Sequence, residues 1–249
     1  MTPDLTLTLL LTVTGLLTSA LSGVAGLGGG TILIAVIYSL GLAPVQAIPL
    51  FAAVQFVSNT TRTLAYIRDV EWQATGWFLL AAVPATFLIA PYAAGVNVNL
   101  VRLLLAALIL ASLLPAADAQ PLPPKFAFLS AGFLNGTLGM FVGATGLFVG
   151  RLFLRPEWPK ARVVATLALT QMLGHGLRVL AYGLEGASAF AKPFLLLPVC
   201  VAVVAGTLFG KRLNGKLSEE TFRRLFKLIL VALSLKLLFD AAAGFWLAL

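Results

Sequence analysis

From its first residues the chain is a succession of apolar runs broken by glycine, proline and charge. These runs predict ten elements, at about 5–21, 32–42, 46–66, 74–94, 100–114, 126–134, 146–154, 160–182, 190–210 and 222–247. All ten read as helical. A proline-rich stretch, 115–124, divides the chain nearly in half, which prompts a search for an internal repeat.

The search succeeds at three places. Gly23, Gly26 and Gly30 recur as Gly136, Gly139 and Gly143 at an offset of 113. Gln55, Arg62, Leu64, Ala65 and Tyr66 recur as Gln171, Arg178, Leu180, Ala181 and Tyr182 at 116, and Thr86 and Arg102 as Thr207 and Arg223 at 121. The offset changes only where loops lengthen. Two repeats of five elements follow, the first over about 5–117 and the second over about 125–247.

Composition places these helices in a membrane. Of 249 residues, 60% are hydrophobic and 10% charged, against roughly 45–50% and about 25% in soluble domains. No stretch is long and polar enough for a water-soluble domain, so a single membrane domain is expected over 1–249. The net charge of +8 does not point to a nucleic-acid partner, because the charges are sorted by loop. Loops 151–162 and 211–227, with Arg68 and Lys125, hold 12 of the 17 basic residues and are assigned to the cytoplasm. Loops equivalent under the repeat fall on opposite faces: 41–45 and 95–99 are uncharged where their counterparts are basic. The repeats are therefore expected to be inverted, as in many secondary transporters.

The first two elements of the second repeat occupy only 29 residues, 126–154, where two crossings need ~40. Each repeat is accordingly expected to open with a glycine-linked hairpin of half-helices meeting near mid-membrane. Both termini then lie outside the cytoplasm. The N-terminus carries no Lys or Arg before its first apolar run, so a cleaved signal peptide is not expected.

Candidate chemistry lies on the third element of each repeat. Gln55, Asn59, Arg62 and Tyr66 stand at spacings 0, 4, 7 and 11, which places them within about 60° of one another on a helix. Gln171, His175, Arg178 and Tyr182 repeat that spacing. An arginine at the centre of a membrane helix costs roughly 2.5–3.5 kcal/mol and generally faces a bundle interior or wet cavity. The alternative is that each arginine, four residues from its helix end, snorkels to the headgroups.

The second signal is the glycine turn Gly28, Gly29, Gly30 and Thr31, with a weaker counterpart in Gly143 and Thr145. A half-helix starting there would aim backbone N–H groups and its positive dipole end at an anion. Glycines that merely allow tight helix crossing are the plainer reading. All nine acidic residues fall at loops or chain ends, which disfavours cation transport, an intramembrane aspartyl protease and a carboxylate proton relay. With one histidine and one cysteine, Cys200 in an apolar run, neither a metal site nor a disulfide is expected. No catalytic residue and no cofactor is assigned. Lys236 and Asp240, one turn apart, are expected to form an ion pair.

The run from Ser22 through Gly23, Gly26 and Gly28 to Gly30, the Pro44 to Ala47 start of the third element, the turn Tyr66-Ile67-Arg68-Asp69-Val70-Glu71-Trp72 and the duplicated halves resemble the sulfite exporter TauE/SafE family. The second-half glycine turn departs from the first, with Phe141 and Ala144 where the first has Gly28 and Thr31. The resemblance implies a bacterial inner-membrane carrier of sulfite or a related organosulfonate, with a small anion and the lipid bilayer as its partners. An anion channel, or an intramembrane enzyme or assembly factor using the same cavity, are the other classes compatible with these residues.

Overall fold

The computed structural model describes residues 5–25, 28–93, 95–114, 122–213 and 219–247. They are helical, with no strand among the described residues. The first half runs α1 (Leu5–Ala25), α2 (Gly29–Ser39), α3 (Pro44–Ala65), α4 (Trp72–Ala93) and α5 (Val98–Leu113). Pro44 opens α3 at a position where its missing N–H costs nothing. The Asn97 side chain caps α5 by accepting from the Asn99 N–H at 2.8 Å. The second half runs α6 (Pro124–Gly136), α7 (Leu138–Val142), α8 (Gly146–Val149) with a 3-10 turn after it, α9 (Lys160–Leu184), α10 (Pro193–Leu213) and α11 (Glu219–Trp246).

Six described segments are long and apolar enough to cross a membrane: α1, α4, α6 with α7, α9, α10 and α11. The expected opening hairpins are corrected by this. In neither half is the first element a half-helix. α1 has 21 residues, a rise of roughly 30 Å, and α6 continues through a bend at Thr137 into α7, so that Pro124–Val142 forms one 19-residue span. The short partner is the second element, α2 with 11 residues and α8 with 4. Gly136 and Gly139 lie inside helical segments and do not break the chain; the reversal comes later, at Gly143.

Two glycines carry that geometry. Gly28, with φ 92°, leads into α2, and Gly143, with φ 80°, leads towards α8. That left-handed backbone costs a side-chain-bearing residue about 1–2 kcal/mol. The sequence match pairs Gly30 with Gly143, so the turns themselves are two residues out of that register. Gly26 lies outside the described residues.

At the centre α3 packs along α9. Around this pair α1 packs on α10, α4 on α6 and α5 on α11, while α10 also touches α3 as α4 touches α9. Glycines let two crossings close: Gly206 and Gly210 of α10 lie on the α1 backbone at Leu16 and Ala20, and Gly132 and Gly136 of α6 on the α4 backbone at Phe78 and Ala82. Ser58 and Thr207 share a hydrogen bond of 3.2 Å between α3 and α10. On α11, Lys236 pairs with Asp240 at 2.8 Å, as their spacing predicts.

Candidate functional site

Gln55 and Gln171 each stand eleven residues past the first residue of their helix, about 16 Å along it. Since α3 and α9 lie side by side, both amides reach one buried cavity of about 40 Å³, room for a few water molecules. Of the residues singled out above, Gly28, Gly30, Thr31, Gln55, Asn59, Arg62, Thr145, Gln171 and His175 line it. Both polar stripes and both glycine turns thus converge on one space. No carboxylate lines it, and Arg62 does, so its wall is positively charged.

Within the stripes the arginines act alike. Arg62 Nη1 donates to Asn59 Oδ1 at 3.5 Å, and Arg178 Nη1 to His175 Nδ1 at 2.9 Å, each three residues back along the helix. An arginine can only donate. Nδ1 of His175 therefore carries a lone pair, and the ring is neutral with its proton on Nε2. The edge of this ring meets Phe51, with centroids 5.4 Å apart. Gln171 is buried, and its Nε2 has no hydrogen-bond partner. A buried amide nitrogen left so costs about 1–3 kcal/mol, a cost that a ligand or a water in the cavity would remove.

Five candidates lie outside the lining. Gly29 rests on the α1 backbone at Thr18, and its N–H donates to Ser22 Oγ at 2.9 Å. Tyr66 lies under the Lys211 ammonium, 4.9 Å from the ring centre. Tyr182 donates to the Met140 carbonyl at 2.7 Å. Gly143 packs against Phe51 and Ile34. Arg178, fully buried, donates from Nη2 to both the carbonyl and Oδ1 of Asn135, each at 2.9 Å. Its guanidinium fills the space beside Gly139, where any side chain would overlap it. Arg178 therefore ties α9 to the α6–α7 bend. α8, a single turn of four residues, has no macrodipole of consequence for an anion.

Ser22, Phe51 and Asn135 were missed in the sequence. Asn135 had a signal, being a lone amide at the end of an apolar run, with Gly174 leaving room for it on α9. Phe51 had none, because it reads as one more apolar residue of α3.

Two other cavities are larger and lined mainly by apolar side chains. One of about 420 Å³, on another face of α3 and α9, is lined by Ala53, Phe56, Val57, Gly176, Val179, Phe190, Leu196 and Cys200. The other, of about 250 Å³, lies where α1, α3 and the loop before α10 meet, and includes Gln46, Leu50, Ser188 and Lys192. Among the described residues no three His, Cys, Asp or Glu side chains gather as metal ligands.

Long apolar helices around a buried, positively lined polar cavity define a multi-pass membrane protein of the transporter class. The chain belongs to the sulfite exporter TauE/SafE family, whose model matches residues 11–237. A relative from Cupriavidus necator, named "Probable sulfite/organosulfonate exporter TauE", is 27% identical over 233 residues, which cover 89% of this chain and 90% of that protein. No solved structure matches the chain.

Proposed function

We propose that the protein exports a small sulfur oxyanion or organosulfonate across the bacterial inner membrane, binding it in the cavity between α3 and α9. The observation that carries this is the buried Gln171 amide, whose Nε2 has no protein partner, beside a cavity lined by Arg62 and free of carboxylates. Gln55, Gln171 and the start of α2 at Gly30 and Thr31 bind the anion centrally, and Arg62 receives it on the cytoplasmic side. Family membership and the name of the Cupriavidus necator relative support sulfite or a sulfonate as the cargo. With the cell interior negative, expelling a monoanion gains ~2.3 kcal/mol per 100 mV, so export needs no coupling ion.

The mechanism in this proposal is alternating access by two inverted five-element repeats within one membrane domain. Exchange of the halves turns the α1–α10 packing into α6–α4 and the α10–α3 packing into α4–α9, and returns α3–α9 and α5–α11 to themselves. That pattern supports a twofold relation, and the opposite charge of equivalent loops supports its inversion. Rocking of one repeat against the other would open the cavity to each side in turn. Radiolabelled sulfite counterflow in proteoliposomes tests this. Trans-acceleration by internal sulfite is expected of a carrier; flux without it would make the protein a channel, and no flux of sulfite or any sulfonate would overturn the proposal.

A further inference from the structure

The two stripes match position by position in sequence but not in their surroundings. α3 and α9 run antiparallel, since the loop after α3 meets the start of α9, with the Glu71 N–H donating to Thr166 Oγ1 at 2.9 Å, so Arg62 and Arg178 stand at opposite ends of the pair. The Arg178 end is tied down. Arg178, 0% exposed, is held by Asn135 of α6, and Tyr182, one turn further on, donates to the Met140 carbonyl of α7. Neither lines the cavity. Their equivalents at the other end are placed differently: Arg62 lines the cavity at 8% exposure, and Tyr66 is half-buried under Lys211 of α10. The cavity leans the same way. From the two glutamines its lining reaches seven residues towards the end of α3, to Arg62, but only four towards the other end, to Phe51 and His175, roughly 10 Å against roughly 6 Å. The repeat also supplies an equivalent of Asn135, because the offset of 113 that matches the glycines pairs it with Ser22. Ser22 lines the same cavity as Arg62, and its Oγ accepts from the Gly29 N–H, which leaves that oxygen a lone pair for a second donor.

We infer that this is the conformation open towards the end of α3, that Arg178 and Tyr182 on the α6–α7 bend are the latch that closes the far end, and that in the reciprocal conformation this latch releases while Arg62 closes onto Ser22. Arg178 and Tyr182 are then positioning residues that hold a state, and Ser22 is the partner of Arg62 in the other state. This deepens the proposed function and rests on it for the exchange between two states. The physics is that of two packings of equivalent parts: helices with the same stripe of side chains, in halves related by a twofold, differ in partners only where the conformation makes the ends unequal.

Alkylation from one side at a time tests this. Iodoacetate is a small anion that alkylates thiols, and Ser22→Cys in a Cys200→Ser background offers it one cysteine in the cavity of the full-length protein, in membrane vesicles of either orientation. Labelling of Arg155→Cys, in the loop before α9, marks the side on which α3 ends. With the other state populated at roughly 0.1–10%, alkylation from the α3 side should be at least about tenfold faster than from the far side. Tyr182→Phe and Asn135→Ala each remove one bond of the latch, and each should raise the far-side rate by roughly two- to tenfold. Tyr182→Phe keeps the ring and tests the latch even where Asn135→Ala fails to fold, and Asn59→Cys is the second probe where Ser22→Cys fails to insert. Equal rates from the two sides, a faster rate from the far side, no alkylation of either probe, or a side ratio that folded latch variants leave unchanged overturns the inference. A side ratio that the latch variants shift, in a protein that moves no sulfite or sulfonate, instead overturns the proposed transport and leaves the latch standing.

Discussion

Gly30 lies directly on the Gln55 amide: a methyl group in place of its hydrogen would stand 3.1 Å from both Cδ and Oε1 of Gln55. Such contacts force the neighbour to give by a few tenths of an ångström, and Gln55 stands at the middle of α3. Gly30→Ala is therefore expected to fold, with a strain of about 0.5–1.5 kcal/mol, and to weaken sulfite binding about tenfold by turning the Gln55 amide away. Gly29→Ala differs, because its methyl would meet the α1 backbone at Thr18, which cannot turn aside. Thermal unfolding in detergent beside counterflow separates the two: an affinity loss at Gly30, a stability loss at Gly29. Unchanged sulfite affinity in Gly30→Ala would remove Gln55 from the ligand set.

The two stripe arginines divide by what lysine can replace. Arg62 lines the cavity, so Arg62→Lys exchanges a planar fork for a point charge; a normally inserted protein with a raised apparent KM on the cytoplasmic side is expected. Arg178 bridges three acceptors, the Asn135 carbonyl, Asn135 Oδ1 and His175 Nδ1. A single ammonium cannot span that set in the same geometry, so Arg178→Lys should lower both stability and transport. Flux from inside-out and right-side-out vesicles reads the sidedness. Near-normal transport by both variants at matched expression would return the arginines to headgroup anchors.

The stripes were legible because a helix has a fixed period: spacings of 4, 3 and 4 place Gln55, Asn59, Arg62 and Tyr66 on one face whatever packs against it. Their separate roles were not legible, because a role depends on partners distant in sequence. Arg178 is held by Asn135, 43 positions earlier, and Tyr66 is covered by Lys211. The opening hairpins misled for a local reason. Glycine marks a turn and a tight crossing with the same letter: Gly136 lies on the α4 backbone inside a helix, while Gly143 reverses the chain with φ 80°. Only the neighbouring helix distinguishes the two.

His175 accepts from Arg178 and is therefore neutral, and the matching residue of the first stripe, Asn59, has nothing to titrate. His175→Asn is expected to leave the pH dependence of flux between about pH 5.5 and 8 largely unchanged, a window centred near the unperturbed imidazole value of ~6.5. Asparagine can also accept from Arg178, so folding should persist. A flat profile in the variant, at normal protein levels, would show that protonation of His175 takes part in transport.

The proposed inversion of the halves makes a topological prediction independent of any ligand. With loops 151–162 and 211–227 in the cytoplasm, Gly41 and Lys192 belong to the opposite face. Single cysteines placed at Gly41 and Lys192 in a Cys200→Ser background should react with an impermeant maleimide in intact cells, while one at Arg155 should react only after permeabilisation. Labelling of Arg155→Cys from outside would reverse the orientation, and with it the sidedness assigned to Arg62.

Gly143 and Gly41 share a left-handed backbone, with φ 80° and 84°, but not surroundings. A methyl group at Gly41 would meet nothing within 4 Å, whereas one at Gly143 would stand 3.2 Å from Phe51 Cδ1 and 3.3 Å from Ile34 Cγ1. Gly41→Ala should therefore carry the backbone cost alone, about 1–2 kcal/mol, and transport normally once folded. Gly143→Ala carries the same cost and also presses on Phe51, whose ring meets the edge of His175. A movement of Phe51 thus passes to a group that lines the cavity. Gly143→Ala is expected to be the less stable of the two and to transport slowly even at temperatures where it stays folded. Equal transport by the two variants at matched folded protein would confine Gly143 to making the turn and remove Phe51 from the wall that shapes the site.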